Sequence, residues 1–574
     1  LFPLHEGVFV AQAAWADVQK QQRVRATAYA PAWALGGCAL LLLAIGATAT
    51  LSAYNRPDAA AQLLAVAAGV AICCAATWIV QVDSSSIARM RLMAVTGFLA
   101  SLAVLAIAID YLVRSPGNGG PYAGALVALL PIATLTLLHG NGWKQRAGTP
   151  AELVAWTAVA IGGVALVFSG EESALGALAF AVVIALALLF LVRAARSLLW
   201  VIGGVLLLGL FALIAWVAMG APLPGMLADR VALWQMALPL IGDYRFTGSG
   251  PATTELIFSS YALLTHVPYV SHVHNLYLQV ALEYGLIGLV ALLGIYGAAF
   301  GAALQALRHG SGATQRRAGA VIAALLATLI LGLVDSDVVS SLFVTALFVP
   351  PAAALLVQAT ARAEAHNAGI LEFPARSGPA PELAARPGLW LLIATVAILP
   401  VLVIWGINAL PRIQAALEAN RGAVLQTQVE LTDYAQADWS FQDAIRRERS
   451  AELGPAENAY RSALLLYPAQ ETAHRRMGQI ALSLGDIPRA AGYLQEAHRL
   501  NPQNRVSAQL LGEVRALQGD ADAAAALWLP LDLGQNQLDT RLNWYRSLAL
   551  AEEVARMEAA VIVYTQSYQE KAAQ

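Results

Sequence analysis

The sequence predicts an all-α protein: a polytopic membrane domain of about eleven transmembrane helices, followed by a C-terminal α-solenoid of the tetratricopeptide type. Three observations predict it. The 574 residues are 58% hydrophobic and only 13% charged, with mean hydropathy +0.60, whereas soluble domains carry about a quarter charged residues. Apolar runs long enough to cross about 30 Å of hydrocarbon recur along the first 410 residues. After Leu410 the composition changes, since about half of all Lys, Arg, Asp and Glu lie there, and a 34-residue period appears.

The apolar runs lie near 31–51, 62–82, 92–113, 122–138, 152–168, 173–192, 197–219, 275–306, 318–334, 340–360 and 389–410. Their connections alternate in basic content. Lys20, Arg23 and Arg25; Arg89 and Arg91; Lys144 and Arg146; Arg193 and Arg196; Arg308, Arg316 and Arg317; and Arg362, Arg376 and Arg386 fall in every second one, while the others hold only Arg56, Arg114, Arg230 and Arg245. Lys and Arg in short loops stay on the cytoplasmic side. The pattern therefore places residues 1–30 in the cytoplasm, a multi-pass domain over 31–410 in the cell (inner) membrane, and 411–574 outside the cytoplasm. The connection 220–273 shares that outer side, because four crossings separate it from the tail. Residues 361–388, with Pro374, Pro379, Pro381 and Pro387, read as a cytoplasmic linker. The chain opens on Leu1 rather than Met, which leaves room for a further helix upstream.

In the tail, Ala456, Ala490 and Ala524 are 34 residues apart, as are Tyr460, Leu494 and Trp528, Ala463 and Ala497, Pro468 and Pro502, and Gly478 and Gly512. A 34-residue period of small, large and proline positions is the tetratricopeptide signature, in which paired helices stack small residues against large ones. Such arrays bind peptides or proteins, or act as spacers. A net charge of −2 offers no electrostatic case for a nucleic-acid partner. Cys38, Cys73 and Cys74 all fall in apolar runs and are expected to be packing residues.

The connection 220–273 carries the chemistry-bearing side chains. It is amphipathic, with cations Arg230 and Arg245 and histidines His266, His272 and His274. Arginine on the outer face runs against the positive-inside bias and calls for a compensating anion; guanidinium matches phosphate oxygens bidentately. His272 and His274 stand where an apolar helix begins, with Asn275 as its start signal. The plain alternative is an interfacial helix cap. Glu283 lies two turns inside that helix, where a carboxylate is costly unless paired, so it is either functional or a structural ion-pair partner. Gly248 and Gly250 read as a turn. Asp335 and Asp337 form a D-x-D pair, but without a further ligand cluster they are taken as a helix-connecting turn rather than a metal site. Asp110, late in the third crossing, is ambiguous.

The stretches "DRVALWQMALPLIGDYRFTGSG" and "HVHNLYLQVALEYGLIGL" resemble the external loop and following helix of the O-antigen ligase and polymerase superfamily, which also includes protein O-oligosaccharyltransferases. Arg230, Gly248, Gly250, His274, Asn275, Leu278, Gln279, Glu283, Gly285 and Gly288 match the family pattern, and the resemblance covers roughly 200–360. It implies an O-antigen ligase-like glycosyltransferase that takes a glycan from a polyprenyl-diphosphate (undecaprenyl-type) donor in the membrane lipid. The glycan passes to an acceptor hydroxyl on a glycan, lipid or protein, without a cofactor or metal. His274 and Arg230 are the catalytic candidates; Arg245, His272, Asn275, Gln279 and Glu283 are the substrate-binding ones. Imidazole exchanges protons near neutral pH, so His274 suits either deprotonation or positioning of the hydroxyl, while Arg230 and Arg245 would hold the diphosphate charge. A polymerase or protein glycosyltransferase of the same superfamily fits equally. The repeat array is then expected to recruit the acceptor or another protein. A reading of another class makes the membrane part a non-catalytic anchor or transporter and the array the working part.

Overall fold

The computed structural model describes the chain except for residues 1–29, 82–85, 115–119, 139–148, 192–224, 266–269, 335–340, 368–409, 435–440, 532, 534 and 574. Every described element is helical. The membrane half contains α1 (Ala30–Ser52), α2 (Arg56–Gln81), α3 (Ser86–Arg114), α4 (Gly120–Ala133), α5 (Pro150–Phe168) and α6 (Glu172–Leu191). After α7 (Gly225–Asp243) and the short α8 (Thr254–Phe258) come α9 (Leu276–His309), α10 (Gly312–Val334), α11 (Ser341–Ala346) and α12 (Val349–Asn367). Among the described residues, eight helices are long and apolar enough to cross a membrane, and each falls on one of the expected crossings. The expected crossing at 122–138 is a shorter apolar helix, Tyr122–Thr136. The crossings expected at 197–219 and 389–410 lie outside the described residues, as do most of the linker, His266, Asp335 and Asp337.

The described residues form two compact units. The first comprises 1–44, 64–223 and 290–399. Its innermost helices are α4, α10 and the α11–α12 pair, whereas α5 and α6 leave Trp156, Phe168, Phe180 and Phe190 exposed, as helices facing lipid should. Inside it, Tyr111 donates to the Phe168 carbonyl at 2.7 Å and Tyr296 to that of Leu347 at 2.9 Å. Asp110 accepts from Tyr122 at 3.0 Å and pairs with Arg114 at 3.1 Å, a structural arrangement. The cysteines are free thiols; Cys38 packs against Gly294.

The second unit comprises 45–63, 224–289 and 400–574. Its C-terminal part is a run of helix pairs: α13 (Pro411–Leu431) with α15 (Gly454–Leu466), α16 (Glu471–Ser483) with α17 (Ile487–Leu500), α18 (Arg505–Leu517) with α19 (Ala521–Trp528), and α20 (Gln535–Ser547) with α21 (Ala551–Ala573). In three pairs a glycine of the first helix receives a large residue of the second. Gly422 lies under Tyr460, Gly478 under Leu494 and Gly512 under Trp528, each so close that a Cβ would fall 2.5 Å or less from the ring or branch. These are the small and large positions of the sequence period. The first pair is stretched because 432–453, including α14 (Gln442–Glu448), is inserted between its helices.

Residues 243–265 run across the first helices of these pairs. The Asn420 side chain of α13 accepts from the Phe246 backbone at 2.9 Å and donates to Thr247 Oγ1 at 2.8 Å; Thr427 shares a 2.5 Å hydrogen bond with Tyr244. On α16, Arg475 and Arg476 donate to the two oxygens of Asp243 at 2.5 and 2.7 Å. Gln442 donates to Ser260, Gln537 of α20 donates to the Leu263 carbonyl, and Leu264 joins the array's apolar core. A buried ion network continues from there. Tyr261 donates to Glu430, which holds Arg446 through two bonds; Asp443 and Glu513 hold Arg541. Burial pushes the Asp243 carboxyl up, but Arg475 and Arg476 together outweigh it and hold it below the usual carboxylate range. Asp443 is treated alike, with Arg541 and Arg446 overriding its burial. Charges this deep are tolerated when they are paired.

Candidate functional site

The site is built where α7, the turn after it and the start of α9 meet within the second unit. Asn275 caps α9: its Oδ1 accepts from the backbone N–H groups of Tyr277 at 3.0 Å and Leu278 at 3.1 Å. His274 stands immediately before the cap with φ +52°. That left-handed backbone is uncommon for a residue with a Cβ and persists only where the surroundings enforce it. The rings of His272 and His274 lie 4.0 Å apart, and Ser271 shares a 2.8 Å hydrogen bond with His272 Nδ1. Two contacts fix Val273, the residue between them. Its carbonyl accepts from Trp234 Nε1 of α7 at 3.1 Å, and its N–H donates to Gln279 Oε1 at 3.0 Å. Gln279 and Glu283, one turn apart and both buried, meet Thr254 of α8: Gln279 Nε2 donates to Thr254 Oγ1 and Glu283 Oε1, and Thr254 donates to Glu283 Oε1 at 2.9 Å.

Helix α9 is broken at Gly285, where φ is 71° and ψ 177°. The break frees buried backbone groups, which cost several kcal/mol if left unsatisfied, and the turn 245–250 pairs with them. Ser249 N–H donates to the Leu282 carbonyl at 2.8 Å, Gly250 N–H to that of Glu283 at 3.1 Å, and Leu286 N–H to the Arg245 carbonyl at 2.8 Å. This approach explains the glycines. A Cβ on Gly248, at φ +69°, would lie 2.1 Å from the Glu283 carbonyl oxygen, and one on Gly250 would lie 2.4 Å from Ala53 Cβ. The pair is therefore more than a turn signal: it joins the loop to the broken helix.

The sequence-predicted residues divide into two groups. Arg230, half-buried on α7, lies one turn before Trp234 on the same helix face, about 6 Å along the axis, and Trp234 is bonded to the residue adjoining His274. His272, His274 and Asn275 thus form one neighbourhood with Gln279 behind them, and Arg230 lies one helical turn from the Trp234 that is bonded to it. Arg245 does not join it. It follows the far end of α7, about 20 Å along the helix axis from Arg230, and its Nε donates to the Gly242 carbonyl at 2.9 Å. Most of α7, with Pro239 inside it, lies between the two arginines. Trp234 and Thr254 are contributors that sequence reasoning missed. The indole four residues after Arg230 was the available signal, since i and i+4 share a helix face.

Among curated proteins, none matches the chain. The family model described as O-antigen ligase matches residues 157–293, beginning earlier and ending sooner than the resemblance read from the sequence. The match takes in the latter part of α5, α6, the α7 loop and the start of α9 with every candidate site residue, and it makes this part of the multi-pass membrane protein similar to a family of glycan-transferring enzymes.

Proposed function

We propose that the chain is a glycosyltransferase of the O-antigen ligase type, acting at the extracytoplasmic membrane face on a polyprenyl-diphosphate-linked glycan. The observation that carries this reading is the bond between Trp234 and Val273, which ties the Arg230 face of α7 to His274. In the reaction an acceptor hydroxyl attacks the anomeric carbon of the donor sugar. The new C–O bond forms as the bond to the diphosphate breaks, and the carrier diphosphate leaves with the electron pair. Arg230 offsets the charge developing on that leaving group, the electrostatic device such reactions require. His274 takes or orients the hydroxyl proton. His272 and Asn275 shape the acceptor side, and Gln279 and Glu283 hold Thr254 and hence the loop. Arg245 serves the junction with α9 rather than the diphosphate near Arg230.

The repeat-containing tail and the loop face the same side in the orientation given by the basic residues, which allows a carrier lipid to enter laterally. Ligase, polymerase and protein O-oligosaccharyltransferase activities share this chemistry and differ in the acceptor. Membranes containing the full chain, supplied with a polyprenyl-diphosphate-linked glycan, test the assignment. Arg230→Ala and His274→Ala are each expected to lower transfer at least a hundredfold while protein level stays unchanged. Retained transfer in both rejects it.

A further inference from the structure

The first helices of a stacked helix-pair array form its ordinary binding surface for extended segments. Here that surface is covered by the chain's own loop, through Asn420, Thr427, Arg475, Arg476 and Gln537 on three of the first helices. The contact is charged at its centre. Asp243, the last residue of α7, is fully buried between Arg475 and Arg476, and the Arg476 guanidinium lies 3.7 Å from the centre of the Tyr261 ring. Withdrawing the loop would strip Arg476 of its carboxylate partner and leave Arg475 with Glu471 alone, so the occupant is not readily exchanged for an incoming peptide.

We propose that the array is a permanent receptor for this loop, and that Asp243, Arg475 and Arg476 are positioning residues for glycan transfer rather than parts of an acceptor-recruiting arm. The proposal rests on the transferase reading above. The clamp holds the end of α7; α7 carries Arg230 and Trp234; and Trp234 holds Val273 beside His274. The adjoining turn, held by Asn420, supplies the backbone bonds to the break in α9. Displacing the loop from the array therefore moves the reacting groups without touching substrate.

The test separates turnover from acceptor affinity in the full chain. Asp243→Asn removes the clamp charge. Asn420→Ala is the milder partner, chosen because it removes only the contacts to Phe246 and Thr247. Both are expected to lower kcat at least fivefold with the acceptor KM within twofold of the parent and the array's trypsin resistance unchanged in Asn420→Ala. A rise in acceptor KM at constant kcat, or no change in either constant, overturns the proposal. A parent chain that transfers nothing overturns the transferase reading instead. Amide exchange then still reads the contact: residues 245–250 protected in the parent and exposed in Asn420→Ala support it, and an unprotected loop in the parent refutes it.

Discussion

Replacing Gly248 with alanine tests the junction between loop and broken helix. The added Cβ would meet the Glu283 carbonyl oxygen at 2.1 Å, its carbon at 2.4 Å and the Tyr284 nitrogen at 2.7 Å. All three are backbone atoms, so no side chain can swing aside. The left-handed backbone itself costs an L-residue about 1–2 kcal/mol. Separating the turn from α9 enough to relieve the contact breaks the bonds from Ser249, Gly250 and Leu286, each contributing about 1 kcal/mol. The total is about 4–5 kcal/mol, concentrated at the site. Transfer in membranes should fall at least a hundredfold. Gly242→Ala is the control, because its Cβ would meet only the Arg245 guanidinium at an ordinary 3.6 Å, and it should stay within threefold of the parent. Parent-like transfer by Gly248→Ala would refute the assigned role of the turn.

Other expectations follow from the same geometry. Gly285→Ala, at φ +71° with the Phe246 carbonyl 2.9 Å from the new Cβ, should resemble Gly248→Ala in transfer; activity near the parent's would show that the break in α9 is dispensable. Trp234→Phe removes the bond to the Val273 carbonyl, about 1 kcal/mol, together with part of the ring's packing, so kcat should fall at least fivefold at unchanged protein level. Asp243 and Asp443 are held below their ordinary carboxylate range. A depressed folded-state pKa contributes stability above the unfolded value near 4 and loses it as pH falls through the folded one. The folded signal of the second unit, read by near-UV circular dichroism, should therefore persist from about pH 8 to 5 and decline only as pH falls below about 4; a midpoint near pH 6 would contradict the ion network.

The membrane helices were legible because hydropathy over twenty residues reports the solvent a helix must face, and among the described residues eight helices long and apolar enough to cross stand where the apolar runs are. The period in the tail was legible because each glycine must sit under a large residue in the same pair. Gly422 escaped notice, since the insertion at 432–453 takes it out of the 34-residue register that Tyr460 keeps. At the site, His274, Asn275 and Arg230 stood out by residue type. What stayed hidden depends on distance in space. Asp243 and Arg475 are 232 positions apart, and nothing local announces their pairing. The separation of Arg230 from Arg245 needed the knowledge that a continuous helix fills the loop between them. Gly285 inside an apolar helix could not be told from a tolerated glycine until its backbone was seen to turn.

If Arg230 and His274 serve one transfer step, removing both should do little more harm than removing one, because groups that act as a unit are not additive. Transfer from a polyprenyl-diphosphate-linked glycan by Arg230→Ala, His274→Ala and the double variant measures this. The account predicts that the double variant lies within about tenfold of the weaker single one. Losses that multiply, or a His274→Ala variant that transfers normally, would contradict it.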